Sequence, residues 1–290
     1  MDKSGRKAIM AEFILSAFSD EYSQVFDEQI RGLIENEVKF MEIRGVDGKN
    51  ISNVTAQEAK ILRDKLDANG LGVSSIGSPI GKVKLGDPFP VHLDKLKQVI
   101  ELAHILGAEN IRMFSFYIPA DKTHAECRGE VFEKLGKMLD AAKSEGVLLC
   151  HENEREIYGD TAQNCLDIQK YFGGEIKCVF DHANFICCDD EPYPYAYEML
   201  RDYIHYMHIK DATAKKQMAP AGEGIGRIPE TLEDLRSVDK KFFLTVEPHL
   251  QVFKGIGDLQ KQEGDGTVVN QYASSAEAFG AAVRAIKKYI

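Results

Sequence analysis

The 290-residue chain contains no tryptophan, no CxxC pair and no block of lysine and arginine. The missing basic block bears on partners. The formal net charge is −10, and an acidic surface repels phosphate backbones, so nucleic acid is not an expected partner. No stretch approaches the roughly 20 apolar residues a spanning helix needs, so no membrane is expected either. The first twelve residues, MDKSGRKAIMAE, carry charges and lack a long apolar region, so they do not read as a secretory signal. The six cysteines include an adjacent pair, Cys187 and Cys188, which is poor geometry for an ordinary bridge. Reduced thiols in a cytoplasmic protein are the expectation, and the spacing disfavours a thiolate metal site. No GxGxxG follows the first β-type segment, which weakens a dinucleotide-binding reading. Without tryptophan, any apolar wall of a binding site must use Phe, Tyr or Met.

What is present is alternation. Short β-type runs at 13–18, 39–45, 71–79, 110–117, 147–152, 176–181, 204–211 and 242–248 are separated by helical patterns. The patterns fall at 28–37, 55–70, 92–107, 128–146, 161–173, 195–204 and 229–238, with a closing helix at 275–290. Thr55 with Glu58 reads as a capping box, and Gly70 as a stop. Eight units in 290 residues is about 36 residues each, the size of a βα unit. Alternating βα units imply a parallel sheet, and eight of them favour closure. The expected fold is α/β, a single (β/α)8 TIM barrel forming one domain over residues 1–290. No Pro-, Ser- or Gly-rich linker divides the chain.

In such a barrel the active site lies at the C-terminal strand ends. Four consecutive strands deliver polar groups there: Glu152 from the fifth, Asp181 and then His182 from the sixth, His208 followed by Lys210 and Asp211 from the seventh, and Glu247 from the eighth. Three crowded carboxylates repel one another, and without a counterion some would take up protons. A divalent cation removes the conflict. Three carboxylates and one imidazole suit Mn²⁺, Mg²⁺, Co²⁺ or Zn²⁺ better than copper. Taken singly, each residue could be only a polar strand terminus. Four on adjacent strands point to one divalent metal ion held by Glu152, Asp181, His208 and Glu247.

The motifs CHEN (150–153), FDHANF (180–185), HIKD (208–211), PAGEGIGRIP (220–229) and TVEPH (245–249) carry a resemblance. The chain resembles the xylose isomerase-like TIM barrels, in particular the sugar phosphate isomerase/epimerase group with its ketose 3-epimerases and inosose dehydratases. The N-terminal half is similar only in style, through SAFSDE (16–21), FMEIRG (40–45) and FSFY (114–117). The resemblance implies the same four-residue metal site, with Mn²⁺ the first expectation. It also implies Glu152 and Glu247 as an acid/base pair, one removing a proton beside a carbonyl and the other returning it. The enediolate between these steps would be stabilised by the metal. The implied activity is isomerisation or epimerisation of a small sugar or sugar phosphate. An inosose-type dehydratase with the same metal site is the alternative. An apurinic-type endonuclease is disfavoured, because the second and third strands offer no histidine. A non-catalytic binding protein is the bland alternative. The group often forms homodimers or homotetramers. Asn184 stands where the epimerases often carry a histidine, and the epimerase arginine after the seventh strand has no aligned equivalent.

Further candidates for substrate contact are Glu42 and Arg44 at the end of the second strand, Asn184, His182, Lys210 and Arg227. Phe116 or Tyr117 could stack on a sugar face, whereas Phe114 reads as core. Gly222, Gly224 and Gly226 form either a phosphate-binding loop or a tight turn, and the turn is favoured. His92, His104 and His124 fall on or near outer helices and are assigned no role.

Overall fold

A computed structural model describes residues 10–251 and 272–290. Residues 1–9, which contribute most of the segment read as lacking a secretory signal, lie outside the described residues. Eight parallel strands form a closed barrel: β1 (Glu12–Ala17), β2 (Phe40–Ile43), β3 (Gly72–Gly77), β4 (Asn110–Met113), β5 (Leu148–Glu152), β6 (Lys177–Asp181), β7 (Ile204–Ile209) and β8 (Lys241–Val246). Each pairs with its neighbours in chain order, and β8 closes onto β1 from Glu12↔Lys241 to Ala17↔Val246. This is the expected (β/α)8 barrel.

Helices α1 (Phe26–Glu35), α2 (Ala56–Ala68), α3 (Phe89–Leu106), α4 (His124–Ser144) and α5 (Ala162–Tyr171) surround the barrel. They are followed by α6 (His182–Cys187), α7 (Tyr197–Leu200), α8 (Ile228–Leu235) and α9 (Ser275–Lys287). Thr55 and Glu58 form the expected capping box, and Thr123 with Glu126 forms a second. Each satisfies backbone N–H groups that a helix start leaves without partners.

The strands bury both faces. Leu149, Phe180, Met207 and Val246 point outward to meet Leu135, Ile168, Leu232 and Phe279 from the helices. Fully burying such a side chain contributes about 1.5–3 kcal/mol. Side chains of the opposite parity point into the barrel. There Cys150, Val179 and Tyr206 make a small separate apolar plug. The residues two further along the same strands are Glu152, Asp181 and His208, so parity carries them to the mouth, directly above the plug. All six cysteines are free thiols. No helix among the described residues is long and apolar enough to cross a membrane.

Several strand readings ran one or two residues long, and two ran past a break in the strand. Segment 110–117 leaves the barrel after Met113: the Phe114 N–H bonds the Ile80 carbonyl, and Phe116 adopts a left-handed backbone (φ 65°). Segment 204–211 breaks at Ile209, and Asp211–Ala212 pairs instead with Met218–Ala219 in a short hairpin.

Candidate active site

Ligand atoms of Glu152, Asp181, His208 and Glu247 lie within 4.8 Å of one another, and all four side chains are buried. His208 Nδ1 is 3.0 Å from Glu152 Oε1 and 3.3 Å from Glu247 Oε2. Neither approach has the angle of a hydrogen bond, so Nδ1 is a buried atom without one. Its other nitrogen, Nε2, lies 3.1 Å from Glu42 Oε2, and Tyr206 donates its hydroxyl to Glu42 Oε1 at 3.0 Å. Glu42 therefore orients the imidazole from below.

Asp181 divides its oxygens in the same way. Oδ1 accepts from the backbone N–H of Asn184 at 2.8 Å and caps α6. Oδ2 makes no hydrogen bond and faces the Lys210 ammonium at 3.0 Å. Glu247 accepts from Arg44 Nη1 through Oε1 (2.7 Å) and from Lys210 Nζ through Oε2 (3.3 Å). Arg44 is itself clasped by Asp20 (2.9 and 3.0 Å) and Glu21 (3.3 Å) and lies over the Phe18 ring. Asn184 donates to Glu152 Oε1 at 3.1 Å and to the Asn153 carbonyl at 2.9 Å.

Burial and charge set the protonation of this cluster. Burial pushes Asp181 up to about 7 against the pull of Lys210. Burial works in the same direction on Glu152, but His208 and Arg112 outweigh it and hold that carboxyl at about 2. Burial alone would lower His208, yet Glu152 and Glu42 raise it well above the ordinary imidazole value. Without an ion, protonated His208 and Lys210 thus serve as counterions to the carboxylates.

A cavity of about 1120 Å³ opens above the cluster. Its lining includes Arg44, Arg112, Glu152, Asn184, Lys210, Glu247 and His249, with Tyr117 higher on the wall. Of the expected substrate contacts, Arg44, Asn184 and Lys210 reach this cavity. Three do not. Glu42 is 1% exposed and lies beneath the cluster, facing Tyr206 and His208. His182 is fully buried, pointing away to Thr231 Oγ1 (3.1 Å) and packing edge-on to Phe180, because it opens a helix rather than continuing the strand. Arg227 is exposed, paired with Glu230 at 2.8 Å, and lines a separate shallow depression.

The glycine loop is a turn rather than a phosphate cradle. The N–H groups of Gly222, Gly224 and Gly226 all donate to the Asp211 carboxylate, at 3.0, 3.1 and 2.9 Å. Residues missed by sequence reasoning include Asp20, Glu21, Asn153 and Arg112. The last had a readable signal, a lone arginine inside the apolar run of β4.

These features define a (β/α)8 barrel with a buried carboxylate–imidazole cluster at the C-terminal strand ends. The chain belongs to the xylose isomerase-like TIM barrel family, whose model matches residues 33–263. A curated relative, 2-oxo-tetronate isomerase from Cupriavidus necator, is 30% identical over 108 residues. That match covers 34% of this chain and 42% of the relative, so it spans less than half of the relative's length. The solved structure of L-ribulose 3-epimerase superposes with a TM-score of 0.71 at 17% identity, covering 94% of this chain and 93% of that one. The IOLI protein with a bound zinc atom superposes with a TM-score of 0.70 at 13% identity, covering 96% and 99%.

Proposed function

We propose that this protein is a divalent-metal-dependent isomerase or epimerase of a small sugar or sugar derivative, working by proton transfer at the carbon beside a carbonyl. The observation that carries the reading is the meeting of four ligand atoms from four strands, with His208 Nδ1 and Asp181 Oδ2 both buried and free of hydrogen bonds. The donor set fits a hard or borderline ion, Mn²⁺ first. Glu152, Asp181, His208 and Glu247 would hold it, and the bound ion would supply Lewis-acid polarisation of the substrate carbonyl.

The chain's own groups do the rest. Glu152 and Glu247 are carboxylates at neutral pH and can accept and return the proton. Asn184 fixes the first and Arg44 the second, so each holds its orientation toward the cavity. Lys210 lines the cavity as an ammonium and can donate to a substrate oxygen on which negative charge develops. Tyr117 offers an apolar face on the wall.

The test is turnover of a ketose and keto-acid panel in D₂O with added Mn²⁺. The isomeric product should carry solvent deuterium on the carbon next to the carbonyl. Glu152→Gln and Glu247→Gln should each lower turnover by about a hundredfold or more. A product lacking deuterium would indicate a hydride shift, and loss of water would indicate a dehydratase; either result overturns the proposal.

A further inference from the structure

Arg112 is the best-buried cation of the cavity that makes no hydrogen bond among the described residues. Its side chain is only 5% exposed, and its Nε lies 3.4 Å from Glu152 Oε2 and 3.8 Å from Glu42 Oε1, ion pairs of which neither is a hydrogen bond. The guanidinium sits 4.7 Å from the Phe114 ring centre and 5.5 Å from that of Phe18. Gly77 keeps the slot open: a Cβ there would lie 2.7 Å from the Phe18 ring and 3.3 Å from Arg112 Nη2. Glu152 and Glu42 thus balance the charge of Arg112, but its buried Nε is left without a hydrogen bond, which is costly, and the rest of the fork can still take a hydrogen-bonding partner. Arg112 lines the cavity, so a ligand entering the mouth can supply that partner.

We infer that Arg112 is the receptor for a carboxylate on the substrate, so that the substrate is a sugar acid rather than a neutral sugar. This rests on the catalytic reading above. A planar guanidinium matches a carboxylate through two parallel N–H bonds. Glu152 links the two halves of the site: Oε1 faces His208 and Oε2 faces Arg112. An acid bound at Arg112 therefore brings its neighbouring carbons beside the catalytic carboxylate. The outer wall supports an anionic ligand. Lys84, Lys122 and Asp87 line the cavity with no ion pair among the described residues, while the wall's Glu154 and Glu156 are paired with Lys82 and Arg155. The outer wall thus carries four cations, Lys82, Lys84, Lys122 and Arg155, against three carboxylates, Asp87, Glu154 and Glu156, a small positive excess on a chain of net charge −10. A phosphate ester is disfavoured, because Asp211 already occupies the N–H groups of the glycine loop.

The test is calorimetric titration of the full chain with threonate, threitol and threitol phosphate. It is run once with EDTA and once with Mn²⁺, and on wild type, Arg112→Gln and Arg112→Lys. The EDTA arm reads the anion site without any contribution from a metal, so absence of metal binding leaves this result interpretable. Threonate should bind wild type about tenfold or more tighter than threitol in both arms. Arg112→Gln should bring the two within about twofold, and Arg112→Lys should retain part of the preference, since it keeps charge but loses the fork. Equal binding of threonate and threitol by wild type would overturn the inference without recourse to any variant. So would a preference that survives in folded Arg112→Gln, or tighter binding of threitol phosphate than of threonate.

Discussion

His208 has two ring nitrogens in two different surroundings. Nε2 faces Glu42 from below, and Nδ1 faces the carboxylates of the cluster. A carboxylate behind a ligating histidine fixes its tautomer and raises its basicity. Glu42→Gln should therefore weaken divalent-ion affinity by about 10- to 100-fold while leaving one site per chain, as read by competition with a chelating dye. The sequence exposed the parity of Glu42 but not its depth. Alternation places a side chain on the inner face without saying whether it reaches the mouth or stops one layer lower. Glu42 stops lower, with its oxygens on Tyr206 and His208, whereas Arg44, two residues on, reaches the cavity. His182 failed for another reason. Asp181 is both the last strand residue and the cap of α6, so the chain turns at His182 and carries its ring outward.

At the scale of elements, the loop between β7 and α8 is organised by one buried carboxylate. Asp211 accepts from four backbone N–H groups, those of Ala212, Gly222, Gly224 and Gly226. A Cβ on Gly224 would fall inside the Asp211 carboxylate and the Ala212 carbonyl. Gly224→Ala should destabilise the protein by about 1–3 kcal/mol in chemical denaturation. Gly129→Ala, on α4 with open space around it, should be neutral or stabilising. The glycines themselves were legible, but their partner was not, because a carboxylate eleven or more residues upstream leaves no local signal. Strand ends were legible to within about two residues, except that the fourth strand stops at Met113, four residues early. The start of α4 was placed late, since the capping pair Thr123–Glu126 precedes the first strongly apolar turn. The six-residue α6 is too short to show a helical period, and it went unread.

For the whole molecule, closure is what turns four separate strand ends into one site. Glu152 and Glu247 are 95 residues apart in sequence, and only the barrel brings their oxygens to the same histidine nitrogen. The order of the polar strand ends was readable from the sequence, and with it the candidate ligand set. The cationic framework was not: Arg44 after β2, Arg112 from β4 and Lys210 after β7 meet the carboxylates only in three dimensions. The same closure stacks the carboxylate–imidazole cluster on the Cys150–Val179–Tyr206 plug. The most direct measurement is elemental analysis of the purified chain after loading with Mn²⁺ and desalting, wild type beside Asp181→Asn and His208→Ala. One equivalent of divalent metal in the wild type, lost in both folded variants, is the expected result. A wild type that retains no metal, or variants that retain as much as the wild type, would contradict a site built by these four strand ends.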